Sequence, residues 1–103
     1  MIRIAQKLAL KVTAHRQRHS VLILKNGNLI AFGTNDGTMH AEHKALSVPG
    51  FNYKGCTLIS FRVKPSGQIG NSKPCVSCEE LIKKVRIRKL IYFDGKSWIQ
   101  ELR

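Results

Sequence analysis

Leu29-Ile30-Ala31-Phe32, Thr57-Leu58-Ile59-Ser60-Phe61-Arg62-Val63 and Leu90-Ile91-Tyr92-Phe93 are three apolar runs that read as strands, and the segments between them read as helices. Between the first two, about Met39 to Val48 forms a short helix, stopped by Pro49-Gly50, with Thr38 as a candidate cap. Between the last two, Pro65-Ser66-Gly67-Gln68-Ile69-Gly70-Asn71-Ser72 is a long loop. Pro74 then marks a helix start, and Cys75 to about Val85 is that helix. Strands that alternate with helices need crossover connections, so this stretch predicts a partly parallel, mixed sheet with helices on its faces.

Upstream, Val21-Leu22-Ile23-Leu24 is a strand, and Asn26-Gly27 signals a hairpin to the next one. Ile4, Ala5, Leu8 and Val12 recur at helical spacing, so residues 2–14 read as an amphipathic first helix. His15-Arg16-Gln17-Arg18-His19 is a polar, basic connector. Downstream, Asp94-Gly95 is a second hairpin signal, and Ser97 to Leu102 is a short antiparallel edge strand. The order α-β-β-α-β-α-β-β predicts a three-layer α/β/α fold. Its sheet is a five-stranded mixed sheet with an antiparallel last strand, in one domain over residues 1–103.

The composition fits that size. An apolar fraction of 43% is ordinary for a folded chain, and 103 residues supply one modest core. No apolar run is long enough to span a membrane. Arg3, Lys7 and Lys11 interrupt any signal-peptide core, and the acid-free stretch before Asp36 reads as the first helix rather than a transit peptide. Three cysteines, two of them spaced as Cys75-x-x-Cys78, do not make a disulfide framework. They point to a reducing, cytoplasmic setting and a metal or redox site. Eighteen Lys and Arg against six Asp and Glu give a formal charge of +12. Such a surface attracts phosphate, in a polymer or a nucleotide.

Two helix starts carry the chemistry: His40-Ala41-Glu42 and Pro74-Cys75-Val76-Ser77-Cys78. Residues three apart share a helix face, so both sulfurs lie together, and a helix N-terminus favours thiolates. Two thiolates and an imidazole are three ligands for tetrahedral zinc, with the fourth position open to water. Glu42, two residues from His40, would point away on a regular helix. In a first turn aimed end-on at the metal it can still reach forward and move a proton. A closed structural site is the competing arrangement, since His43 could complete a shell with His40, Cys75 and Cys78, but it leaves Glu42 and Asn35 without a role. Cys56, at a strand start, reads as a buried apolar residue.

The H-x-E followed by P-C-x-x-C is a zinc-deaminase signature. On these residues the chain resembles the cytidine/deoxycytidylate deaminase superfamily, which includes tRNA adenosine deaminases and editing cytosine deaminases. The resemblance implies that His40, Cys75 and Cys78 bind one zinc and that Glu42 shuttles protons. It implies that Asn35 hydrogen-bonds the substrate, and that the Ala41 N–H and the Lys73 carbonyl read the base edge. The implied reaction is hydrolytic conversion of cytosine to uracil. The turn at Asp94-Gly95 and the antiparallel last strand resemble the free-nucleoside branch, which uses Cys-Ala-Glu where this chain has His40.

The charge favours single-stranded DNA or RNA as substrate, with Arg16, Arg18, Lys64 and Lys96 as phosphate contacts. The Lys83-to-Lys89 run lies at the far end of the cysteine helix from the zinc. Deamination of free cytidine or deoxycytidine nucleosides or nucleotides is the alternative. A further one is a non-catalytic, zinc-stabilised nucleic-acid-binding domain. No membrane partner is expected, and a homo-oligomer is compatible with the sequence.

Overall fold

Asn26 and Gly27 both take left-handed backbone, with φ of 51° and 80°, the geometry of a two-residue hairpin turn that matches strand twist. The turn joins β1 (Arg18–Lys25) to β2 (Asn28–Thr34) as antiparallel partners. The computed structural model describes residues 18–35, 40–48 and 50–103, without the Arg18 side chain. The expected helix over residues 2–14, Arg16 and the candidate cap Thr38 lie outside the described residues.

β3 (Thr57–Val63) pairs antiparallel with β1 and parallel with β5 (Lys89–Phe93), and β6 (Trp98–Leu102) lies antiparallel to β5 at the edge. The order across the sheet is β2-β1-β3-β5-β6. A crossover through α2 (Val76–Lys84) joins β3 to β5, which is why that pair is parallel. The mixed sheet and the antiparallel last strand agree with the sequence. The strand count differs, six rather than five. The extra strand, β4 (Ile69–Gly70), arises inside the expected loop. Gly67, at φ 87°, donates its N–H to the Lys64 carbonyl, and Lys64 donates to Gln68. That tight turn brings Ile69 and Gly70 back beside Val63 and Arg62.

Strand parity divides the core. Val21, Ile23, Leu58, Leu90 and Tyr92 join Ala41 and Ala45 of α1 (Ala41–Ala45) and Ile82 of α2 in one buried cluster. Both described helices therefore share a sheet face. Leu22, Ile59, Phe61 and Val63 form the buried cluster of the other face, with Trp98 stacked on Phe61 at 5.9 Å. The third layer expected from the sequence belongs to residues 2–14, outside the described set.

α1 is shorter than expected, five residues opening after His40. It sits very close to β2, and Gly33 makes this possible. A Cβ on Gly33 would lie 2.4 Å from the Ala41 carbonyl oxygen and 2.7 Å from the Ala45 nitrogen. At the other end of α1, the Tyr53 hydroxyl donates to the Ala45 carbonyl at 2.9 Å. Neither described helix is long and apolar enough to cross a membrane.

Candidate active site

The N-cap positions of both helices are taken by unusual residues. His40 precedes α1 and Cys75 precedes α2, each in extended backbone, and neither side chain caps its own helix. Ser, Thr, Asp and Asn are the usual caps because they accept from the exposed N–H groups. Here the side chains turn toward each other instead. His40 Nδ1 lies 3.6 Å from Cys75 Sγ and 3.4 Å from Cys78 Sγ. Zn–S and Zn–N bonds at tetrahedral angles would hold such atoms about 3.5 Å apart. Among the described residues these three donors lie within 4.8 Å of one another, and His43 is not in the group. The His43 ring stands edge-on to His40, centroids 6.3 Å apart, so the closed four-ligand shell is not assembled.

The donor set suits zinc. Burial raises the Cys75 pKa, but hydrogen bonds from Ser77, Cys78 and His40 outweigh it and leave the thiol at about 7. Burial, the Glu42 charge and Cys75 push the Cys78 thiol upward. Cys75 thus ionises first, and a bound divalent cation would draw the proton from Cys78 as well. Cys56, as expected, is a core residue, fully buried with its thiol pushed up by burial.

Glu42, like Cys78, is buried; it is 1% exposed. Its Oε1 has no hydrogen-bond partner, though His19 Nδ1 stands 3.5 Å away. Burial raises its pKa against the opposing charges of Arg62, His40 and His43. A buried carboxylate with an orphaned oxygen, interacting electrostatically with His40 and Cys78, is what an open metal site with a proton carrier needs.

β1 begins earlier than the sequence predicts and takes in Arg18 and His19. The sequence puts His19 in the basic connector; it lies on β1, 3% exposed, facing the helices. Its Nε2 and Ser60 Oγ are 2.7 Å apart, and Ser60 Oγ donates its proton to the Ser72 carbonyl at 2.8 Å. A hydroxyl has one proton, so His19 Nε2 must be the donor to Ser60. Ser72 donates in turn to the Ser60 carbonyl and accepts from the Phe93 N–H. These bonds tie the chain just before Pro74-Cys75 to β3 and β5. The sequence signal for His19 was its odd position ahead of Val21 and Ile23, which puts it on the core face only if β1 begins early.

The other expected residues divide between two roles. Asn35 brackets His19: its Oδ1 accepts from the His19 N–H at 2.9 Å, and its own N–H donates to the His19 carbonyl at 3.1 Å. Ala41 is fully buried at the start of α1. Lys73 is exposed, its N–H held by Asn71 Oδ1. Lys64 follows β3 and Lys96 lies in the β5–β6 turn, both exposed. The Arg18 backbone pairs with Val63, which sets it at the same end of the sheet.

The sequence model described as the cytidine and deoxycytidylate deaminase zinc-binding region matches residues 1–94. The chain belongs to that family. Zinc is the family's cofactor, and His40, Cys75 and Cys78 of this deaminase chain can hold one ion. No curated protein matches the sequence. Among solved structures, a diaminohydroxyphosphoribosylaminopyrimidine deaminase/5-amino-6-(5-phosphoribosylamino)uracil reductase from Thermotoga maritima is similar with a TM-score of 0.65 at 24% identity. The match covers 86% of this chain and 27% of that one. The dCMP deaminase of the cyanophage S-TIM5 is similar with a TM-score of 0.68 at 19% identity, over 86% of this chain and 75% of that one. These likenesses establish the fold, and the chain spans about a quarter of the first protein's length.

Proposed function

We propose that the chain is a zinc-dependent hydrolytic deaminase domain, residues 1–103, that converts cytosine to uracil in single-stranded nucleic acid. One observation carries the catalytic part: Glu42, 1% exposed, has an unpartnered Oε1 and interacts electrostatically with His40 and Cys78 of the donor set. When bound, zinc supplies the Lewis acidity that makes a water nucleophilic near neutral pH.

The chain's residues supply the rest. Glu42, with its pKa raised by burial, accepts a proton from the attacking water and delivers it to the ring nitrogen beside the amino-bearing carbon. It then hands a proton to the departing amine. Cytosine and water become uracil and ammonia. Asn35, its Oδ1 held by the His19 N–H, would address the substrate through its amide N–H group. The Ala41 N–H and the Lys73 carbonyl would read the base edge. Arg16, Arg18, Lys64 and Lys96 would contact phosphates; Lys64, Lys96 and the Arg18 backbone share the end of the sheet where α2 begins.

A free nucleotide is the second reading. The favouring observation is that the cyanophage relative is a dCMP deaminase of the same fold. Zinc-loaded protein is incubated with cytidine, dCMP and a cytosine-containing single strand, and uracil products are counted. Glu42→Ala should abolish turnover and keep both fold and metal. Turnover unchanged in Glu42→Ala would refute the catalytic reading. Brisk turnover of dCMP with none on the strand would move the substrate to nucleotides.

A further inference from the structure

The Lys83-to-Lys89 run has no part in the site above. From Cys78 to Arg86 is eight residues, about 12 Å along a helix. The start of β5 lies beside the start of β3, Thr57 opposite Lys89, at the end of the sheet away from the zinc donors. At that end a cleft of about 450 Å³ opens between Lys54, Lys83, Arg86, Arg88 and Arg103, over the buried Ile87.

Backbone hydrogen bonds fix its walls. Gly55 N–H donates to the Arg86 carbonyl, Arg88 N–H to the Cys56 carbonyl, and Arg103 N–H to the Arg88 carbonyl, at 2.7–3.0 Å. Arg103 is paired with Glu79 and Glu101. Lys54, Lys83, Arg86 and Arg88 make no ion pair with a described carboxylate, so the cleft lining carries more cationic than anionic groups even with Glu79 and Glu101 held by Arg103.

Arg86 adds a separate observation. It follows the α2 C-cap Val85 and takes φ 62°, in the left-handed region. Its N–H donates to the Lys83 carbonyl and that of Ile87 to the Ile82 carbonyl, the two bonds of a Schellman motif. Glycine is the usual occupant of that position because a Cβ is strained there. An arginine held in that backbone projects a charge where the turn alone would favour none.

A second cleft abuts the first and shares Gly55 and Arg88 with it, adding Asn26, Thr57 and Lys89. Two joined clefts make a track longer than one phosphate needs. Cations along both clefts match successive phosphates, and Ile87 gives the first cleft an apolar floor.

We propose that this track is a second nucleic-acid site, binding the phosphate backbone of a single strand at the end of α2 opposite the zinc donors. It is independent of base chemistry, so it stands or falls apart from the deaminase reading.

The test uses the zinc-loaded full chain and a labelled oligothymidylate, which contains no cytosine, with anisotropy read from low to moderate salt. Arg86→Gly removes one charge at a position whose backbone favours glycine, so melting temperature and zinc content should be held or raised. Each lost phosphate contact should weaken binding about fourfold at 0.15 M salt and reduce the salt slope by about 0.7. Arg86→Gly and Arg88→Gln should each do so, and the double variant should add the two. Unchanged affinity and slope in both variants would overturn the site, as would absence of oligothymidylate binding by the wild type at low salt. Competition by thymidine monophosphate or inorganic phosphate as strong as by the strand would overturn the polymer as its ligand.

Discussion

His19 Nδ1 lies 3.5 Å from Glu42 Oε1, and both side chains are buried. The His19 proton is committed to Ser60 through Nε2, so the nitrogen facing Glu42 carries a lone pair, toward which Arg62 Nη2 also points at 3.5 Å. His19 thus faces Glu42 as a neutral ring rather than as a charged partner, and a role in positioning the carboxyl is what its substitution tests. His19→Gln should keep zinc and lower kcat more than tenfold with little change in KM. A matching rise in KM, or a loss of zinc, would assign His19 to the framework alone.

The same residue sets an acid limit on stability. Burial, then Arg62 and His40, pull the His19 pKa from 6.5 to about 3. Below pH 6.5 the unfolded chain takes up a proton that the folded one refuses until about pH 3, so the unfolded state gains and stability falls with pH across that window. Above 6.5 the contribution is flat. The slope is bounded at about 1.4 kcal/mol per pH unit. His19→Gln should show a shallower loss of melting temperature from pH 6.5 to 5 than the wild type; parallel curves would contradict the shift.

Gly33 is required by the approach of α1 to β2. A Cβ there meets backbone at 2.4 Å and 2.7 Å, which no side-chain rotation relieves. Gly33→Ala should destabilise the protein by about 1–3 kcal/mol, and because His40 begins that helix it should also weaken zinc retention. Thermal unfolding and metal analysis of the variant check both.

The cysteines differ in reactivity. Cys75 is exposed with its thiol at about 7. Cys56 and Cys78 are buried with raised pKa values. In zinc-depleted protein at neutral pH, iodoacetamide should label Cys75 well ahead of the other two, and zinc should protect it. Cys78→Ala should lose the metal, whereas Cys56→Ala should keep it. Peptide mapping by mass spectrometry reads the first result, and metal content the second.

Asn35 has a framework contact as well as a proposed substrate contact, and two substitutions separate them. Asn35→Asp keeps an acceptor for the His19 N–H but removes the amide donor, so it should fold normally and lose turnover. Asn35→Ala removes both and should also lower stability by about 1 kcal/mol. Full activity in Asn35→Asp would leave Asn35 with the framework role alone.

What the sequence determined by itself was whatever depends on neighbours along the chain. The Asn26-Gly27 turn follows from local backbone preference, and the three-residue spacing brings Cys75, at the N-cap, together with Cys78, in the first turn of α2. The pairing of His40 with those cysteines was legible because both motifs stand at helix starts. Strand order, β4 and the placement of His19 depend on pairing between segments far apart in sequence. A one-residue shift in the register of β1 would carry His19 from the helix face to the other side of the sheet. Its partner Ser60 lies 41 residues away, and Ser72, which bonds Ser60, a further 12 beyond. The need for glycine at position 33 and the convergence of Lys54 with Arg86 are likewise tertiary. Each is a contact between elements whose separation is set by the packing of the whole core, and no local propensity encodes such a distance.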